Sequence, residues 1–419
     1  MSNAWVLATA SSIFKKWPDR SFRSLAEAVT EAALADAGVD GEQLEHAVFG
    51  NCAMGAHGQD NIRGQVALTQ MMRDGRLPAR LPIVNVEAGC ATGSAALHAA
   101  VQAVRSGDAD LVLALGVEKT LVPDDPVKTF KLFQGGIDQR HKSEWRSFFA
   151  EQGEAFGVGW QPHPHRVLFL DVHAMQARHH MATHGTTTEQ LARIASKNHG
   201  NAVHNPRAQY RFEVPVAAAL ADKPVVEPFT RAMCSPLSDG AAAVLVCSDR
   251  FRKQLGATQR SRCLKVRASV LVGGTWRALN EDNVVAHAAT KAWQRSGLGP
   301  ESVDIAEVHD ATSYCELQAT ELLGLCARGE GGRLVDSGAT QRDGRLPVNA
   351  SGGLVSKGHP LGATGLGMVD ELTRQLRGEA GDLQVSGSPR IGLQQNAGGL
   401  IGLDEALCHV GLFERVDNA

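Results

Sequence analysis

Two glycine-framed turns carry the residues best suited to chemistry. Gly89-Cys90-Ala91-Thr92-Gly93-Ser94 and Gly358-His359-Pro360-Leu361-Gly362-Ala363 repeat one pattern, the first holding a thiol and the second an imidazole. A thiolate attacks acyl carbonyls and thioesters, and an imidazole within hydrogen-bond reach can take the thiol proton. Cys90 therefore reads as a nucleophile and His359 as its base. A helix N-terminus and a nearby imidazole are expected to lower the thiol pKa from about 8.5 to roughly 3.5–7.5. His309 is the third candidate. It follows the apolar run Ile305 to Val308 and should stand at a strand end, where residues of an α/β sheet reach a pocket. The other cysteines, Cys52, Cys234, Cys247, Cys263, Cys315, Cys326 and Cys408, read as structural.

The elements that must position these residues also repeat. Ala37 to Phe49 aligns with Ser296 to Val308, each copy reading as a helix stopped at glycine, a polar connection and a short apolar strand. Asn85 before the first turn and Asn349 before the second extend the match. Both turns run into helix-favouring sequence, Ala95 to Val104 and Gly365 to Leu376, which puts Cys90 and His359 at helix N-termini. Two halves packed about a pseudo-twofold axis would bring the two termini to one pocket.

Composition agrees with two packed α/β units. The chain has 419 residues, beyond the roughly 250–300 of a single core, with 43% hydrophobic residues and 44 glycines. The halves are expected at 1–263 and 264–419. Ser24 to Ala37, Met175 to Asn198 and Asn283 to Ser296 read as helices; Leu81 to Glu87 reads as a buried strand and Leu111 to Val117 as a central one. From Lys119 to about Gln176 periodicity weakens while aromatics, Gly and Pro accumulate, so about 119–235 reads as an inserted loop region over the pocket. Net charge is -3 without a basic stripe, which argues against nucleic acid. No run of about 18 apolar residues predicts a membrane span. Eight scattered cysteines without metal-type spacing, no apolar leader in Met1 to Phe14 and no peroxisomal ending in Val416 to Ala419 predict a reducing cytoplasm and no metal.

Five segments in order resemble the thiolase superfamily, in particular its lipid-transfer-protein-type (SCP2-type) branch. They are Glu87 to Ser94, Ser235 to Ala242, His309-Asp310-Ala311-Thr312, Asn349 to Gly365 and Gln395-Asn396-Ala397-Gly398-Gly399. The resemblance implies duplicated halves in a five-layer αβαβα body with mixed, mostly parallel sheets, and a homodimer crossing near Asn61 to Leu68. It implies coenzyme A thioester chemistry through acyl-Cys90, with CoA as co-substrate and no tightly bound cofactor. His359 would also donate to a thioester oxygen, His309 would help stabilise an enolate, and backbone N–H groups of Cys90 and Gly398 would hold the acyl oxygen. Ser235 resembles the serine that touches the pantetheine arm. Lys128, Lys131, Arg140, His141, Lys142 and Arg146 are candidates for the nucleotide phosphates, and the aromatics from Phe130 to Trp160 for an acyl pocket.

One departure matters. The family carries a second acid/base cysteine in the late loop, where this chain has Asn396, or just after the His-Asp pair, where it has Ala311. The second proton-transfer group then falls to His309, a water, Cys315 or Tyr314. Three activities remain open: CoA-dependent thiolytic cleavage of a β-oxoacyl-CoA, possibly bulky or aromatic; an acyl-transfer, Claisen or retro-aldol reaction alongside a small zinc-bearing OB-fold subunit; and a non-catalytic scaffold. Loss of a carbon-acid base favours the degradative direction.

Overall fold

The computed structural model describes residues 3–122 and 125–416. Residues 417–419, read above for an address signal, lie outside the described residues.

The strands are β1 (Ala4–Ser11), β2 (His46–Gly50), β3 (Ile83–Val86), β4 (Leu111–Lys119), β5 (Pro224–Val226), β6 (Phe229–Thr230), β7 (Asp239–Ser248), β8 (Leu264–Gly273), β9 (Ile305–Val308), β10 (Ile391–Gly398) and β11 (Leu407–Arg415). Their order in the main sheet is β3-β2-β4-β7-β1-β8-β11-β10-β9. Read by position within each half, this order is a palindrome. In the first half β7 runs opposite to the other four strands, and in the second β11 runs opposite to β8, β9 and β10. The place equivalent to β3 is taken by Val348, which bridges in parallel to Ala306. The two half-sheets join where Trp5 pairs with Lys265 and Val6 with Leu264.

The helices are α1 (Phe22–Ala37), α2 (Arg63–Arg73), α3 (Thr92–Ser106), α4 (Pro126–Gln134), α5 (Lys142–Ala155), α6 (Leu168–His184), α7 (Thr188–Val203), α8 (Val216–Ala221), α9 (Asp249–Gln254), α10 (Ala257–Arg262), α11 (Val284–Ser296), α12 (Ser313–Leu322), α13 (Gly331–Asp336) and α14 (Leu361–Arg377). One buried cluster joins α1 and α2 to the first half-sheet, through Leu25, Val29, Leu68, Leu113 and Leu245. A second gathers α3 and α14 between strands of both halves, through Leu97, Val101, Leu366, Val369, Val244 and Phe413. A third seats α11 and α12 on the second half-sheet. The order helix, sheet, helix, sheet, helix gives five layers. Each fully buried leucine in these clusters contributes roughly 1.5–3 kcal/mol relative to an exposed one.

The repeated segment has the same structure twice. Gly38 (φ 65) caps α1 and Gly297 (φ 69) caps α11, each left-handed and each followed by a short 3-10 turn and a strand, β2 or β9. Three expectations need correction. The segment expected as one helix from Met175 to Asn198 is two, because Gly185 (φ 74) ends α6 and Thr187 opens α7 with a capping box to Gln190. The buried strand expected over Leu81 to Glu87 is the shorter β3, Ile83–Val86, an edge strand with Val84 47% exposed because it pairs on one side only. The stretch read as open loop contains α4 to α8. Two of its aromatics are core: Trp145 and Phe149 are buried with Val172, Met175, Leu400 and Leu403, and Phe148, Phe156 and Trp160 pack partly buried at their edge.

Candidate active site

The nucleophile turn is locked by one threonine. After β3 the chain passes Gly89 (φ 54) into a 3-10 turn, Gly89–Ala91, that leads into α3. Thr92 Oγ1 donates to the Gly89 carbonyl at 2.7 Å and accepts the Ala88 N–H at 2.8 Å, fixing Cys90 between them. Across the cleft, His359 stands just before α14 and pairs with Leu237. Its backbone N–H donates to Ser238 Oγ at 2.9 Å. Thr364 Oγ1 gives its own proton to the Pro360 carbonyl at 3.0 Å and so accepts from His359 Nδ1 at 2.8 Å. That leaves Nε2 as the free lone pair, and Nε2 is buried without a partner.

Glycines let the two helix starts meet. A Cβ on Gly93 would lie 2.8 Å from the Gly362 carbonyl oxygen, and one on Gly116 would lie 2.0 Å from it. His309, at the end of β9, donates its backbone N–H to Gln395 Oε1 at 3.0 Å. Asp310 beside it accepts from Leu354 N at 2.6 Å and from Asn198 Nδ2 at 2.8 Å, so it ties down the segment leading to His359 and does not face the cleft. The outcome is a compact trio: Cys90 Sγ and one ring nitrogen each from His309 and His359 lie within 4.8 Å of one another. The two imidazoles meet edge to face, with centroids 5.1 Å apart.

The trio opens into a cleft with ≈ 680 Å³ of empty space. Ser235, Ala311 and Gly398 line it as well, and the Ser235 N–H donates to the Ala311 carbonyl at 3.0 Å. Phe133, Val167, Phe169 and Leu170 form an apolar wall. Asn396 is not on the wall: it is fully buried, and its Oδ1 accepts from Ser94 Oγ at 2.9 Å. Cys315, held by Thr312 Oγ1 at 3.2 Å, and Tyr314, whose hydroxyl accepts from Gln318 at 3.0 Å, are also absent from the lining. Two titratable lining residues, His173 and Glu405, carried no signal in the sequence, nor did the apolar Val167, Phe169 and Leu170. Of the expected phosphate contacts, Lys142 and Arg146 line a separate cleft with Arg166, Trp145 and Trp160.

The electrostatics overturn the expected preformed thiolate. Burial, with the charges of Glu118 and Glu87, pushes the Cys90 thiol up to about 12. Burial pulls His359 down to about 3. His309 is lowered well below the usual imidazole range, by burial first and His359 second. Desolvation of the thiolate outweighs the backbone N–H beside it, so the resting pair is a neutral thiol facing a neutral imidazole. Glu118 is raised to about 7 by burial, although it accepts from the N–H groups of Cys52, Ala53 and Gly362.

Duplicated half-sheets that deliver these groups from equivalent helix starts define the class, a two-half α/β acyltransferase. Residues 8–228 match the family model "Thiolase, N-terminal domain" and residues 275–407 match "Thiolase C-terminal domain-like". The chain belongs to the thiolase family. It is 37% identical over 404 residues to an acetyl-CoA acetyltransferase of Methanothermobacter thermautotrophicus, covering 95% of this chain and 97% of that one. It is 36% identical over 393 residues to sterol carrier protein 2 of Rattus norvegicus, covering 90% of this chain and 66% of the relative. Benzoylsuccinyl-CoA thiolase subunit BbsB of Thauera aromatica is 30% identical over 344 residues, at 81% and 82% coverage. Among solved structures, the Ltp2-ChsH2(DUF35) aldolase superposes with a TM-score of 0.76 at 21% identity, covering 99% of this chain and 98% of that one. Human mitochondrial 3-ketoacyl-CoA thiolase does so with 0.66 at 16% identity, covering 99% of each. Among the described residues, no helix is long and apolar enough to cross a membrane.

Proposed function

We propose that the protein cleaves a β-oxoacyl-CoA with coenzyme A through an acyl-Cys90 intermediate, CoA being co-substrate and no cofactor being held tightly. The observation that carries this reading is the trio of Cys90, His359 and His309 within 4.8 Å in an open cleft. Because thiol and imidazole start neutral, Cys90 gives its proton to His359 Nε2 as its sulfur attacks the β-carbonyl. The N–H groups of Cys90 and Gly398 stabilise the oxygen of that carbonyl, while His309 holds the thioester oxygen of the departing enolate. Ser235 supports the pantetheine arm. The apolar wall of Phe133, Val167, Phe169 and Leu170 suits a bulky or aromatic acyl group, in keeping with the name of the Thauera relative. The working form is a homodimer in a reducing cytoplasm. Its dimer contact runs through Asn61 to Leu68, and the eight free thiols fit that compartment.

A second reading is acyl transfer, Claisen or retro-aldol chemistry with a small OB-fold subunit. Asn396 and Ala311 at both cysteine positions favour it, and the Ltp2-ChsH2(DUF35) aldolase shares the fold. The test is intact-mass analysis after incubation with an acyl-CoA, followed by CoA-dependent loss of straight-chain, branched and aromatic β-oxoacyl-CoAs. An adduct absent from Cys90→Ala and thiolysis of one class are expected. No adduct and no CoA binding would sink both readings, whereas an adduct without thiolysis of any class selects the second.

A further inference from the structure

We infer that His173, supported by Glu405, is the acid/base that serves the substrate α-carbon in place of the missing second cysteine; this rests on the thiolase reading above. Of the groups named for that task, His309 is occupied with the thioester oxygen; the two empty cysteine positions, Asn396 and Ala311, and the neighbours Cys315 and Tyr314 do not supply it either. Asn396 has an amide that does not shuttle protons at neutral pH and faces Ser94 inside the central layer. Ala311 has no proton to give. Cys315 and Tyr314 are engaged with Thr312 and Gln318 and stand off the cleft wall.

His173 stands on that wall. Along α6 the side chains of Phe169, Leu170 and His173 fall on one helical face, and all three line the cleft that holds Cys90, His309 and His359. The imidazole is 5% exposed and its Nδ1 has no hydrogen-bond partner, an expensive state for a buried polar group unless a ligand completes it. It lies near enough to His309 to act on that ring's protonation. Glu405, from the turn between β10 and β11, lines the same cleft beside it, with Oε2 accepting from Asn283 Nδ2 at 2.6 Å. Burial lowers the His173 pKa while the Glu405 charge raises it. Burial and Asp404 raise the Glu405 carboxyl, against Arg277 and His173.

The steps balance. Cys90 Sγ bonds to the β-carbonyl carbon as its hydrogen passes to His359 Nε2. The Cα–Cβ bond breaks, its electron pair stays on Cα as an enolate, and His173, entering the cycle as the imidazolium opposite the Glu405 carboxylate, gives its extra proton to Cα and becomes neutral. In the second half His173 takes the proton of the CoA thiol, whose sulfur attacks acyl-Cys90, and the leaving Cys90 sulfur recovers its proton from His359. Both histidines end as they began.

The experiment compares deuterium incorporation from D2O into the α-carbon of acetyl-CoA with Cys90 acylation by the same thioester, in the full-length protein and His173→Asn. A carbon acid needs the catalyst far more than a thiolate leaving group does. Exchange should therefore fall ~10²–10⁴-fold, while acylation falls less than about tenfold. Equal loss of both, or exchange at the wild-type rate, overturns the inference. Should His173→Asn not fold, Glu405→Gln is measured the same way; at least about a tenfold selective loss of exchange supports the assignment and an unchanged rate overturns it. Wild-type protein that acylates without exchanging also overturns it, whereas wild-type protein that never acylates removes the thiolase reading beneath it.

Discussion

Gly398, the last residue of β10, presses on the nucleophile turn so closely that a Cβ there would sit 2.4 Å from the Cys90 nitrogen and 2.6 Å from the Ala88 oxygen. Both contacts are with backbone, which has no rotamer to give. Gly398→Ala should push the turn away from His359 and misplace the N–H pair proposed to hold the acyl oxygen. The expected result is a fall of ~10²–10³ in the rate of Cys90 acylation, read by intact mass. Overpacking should also lower unfolding stability by about 1–3 kcal/mol in urea. Acylation at the wild-type rate would remove Gly398 from the site.

The neutral Cys90–His359 pair predicts an unusual response to alkylation. A thiol at about 12 exposes only a small thiolate fraction at neutral pH, and that fraction grows with every step up in pH. Iodoacetamide should therefore label Cys90 about tenfold faster per pH unit from 7 to 10, without the plateau of an ordinary thiol. Glu87 accepts the Gly89 N–H at 2.6 Å and its charge raises the thiol pKa. Glu87→Gln keeps an acceptor and removes the charge, so labelling at a given pH should quicken by roughly two- to tenfold. A flat profile from pH 7 upward would mean a preformed thiolate and would contradict the burial argument.

Asn396 occupies a chemically prominent position in the chain and a structural one in the fold. Its Oδ1 and the Gln394 amide both meet Ser94 Oγ, in a chain that runs on through His409 to Ser269. Asn396→Ala should cost about 1–3 kcal/mol by leaving buried partners unpaired, while Cys90 acylation keeps its rate within about threefold. Urea titration and intact-mass kinetics on one preparation separate the two. Lost acylation with unchanged stability would return Asn396 to the site.

What the sequence disclosed follows from which forces act locally. Gly38 and Gly297, at equivalent places, each end a helix because only a left-handed residue fits there, so the duplication was readable in the chain. Cys90, His359 and His309 each stand at the end of such a local unit, and the palindromic sheet brings those ends together. Helix α5 was missed although Trp145, Phe148 and Phe149 stand at helical spacing, because these aromatics read as a pocket wall in the chain while in the fold they pack against α6 and the Leu400 to Leu403 turn. The depth of burial around Cys90 was equally invisible, and it reverses the pKa expected from a helix N-terminus. His173 falls in the weakly periodic stretch before the helix read at Met175, and only tertiary packing puts it on one cleft wall with His309. Glu405 lies in a turn whose position depends on Asp404 gripping Arg277 and the Val284 N–H.

Three histidines, His359 and His409 buried and His98 partly so, should make the fold sensitive to mild acid. Burial lowers His98 to about 4, His359 to about 3 and His409 to about 3, against an unfolded value near 6.5. Each folded pKa is depressed, so the unfolded chain binds these protons first. Their stabilisation is complete above 6.5 and is lost as pH falls from there toward 4 and 3. Between pH 7.5 and 5.5 each histidine contributes a loss of about 1.4 kcal/mol. Glu118 works the other way, because its folded pKa of about 7 is raised and its protonated form favours the fold below that value. It offsets roughly 2 kcal/mol over the same window, while His309, also held well below 6.5, adds to the loss, so stability falls on acidification. Urea midpoints at the two pH values, at constant ionic strength, measure this difference. His409→Gln, starting less stable because Ser269 and Gln394 lose their partner, should flatten the net dependence by about 1.4 kcal/mol. Stability that holds steady or rises on acidification would show that these imidazoles accept protons in the folded state.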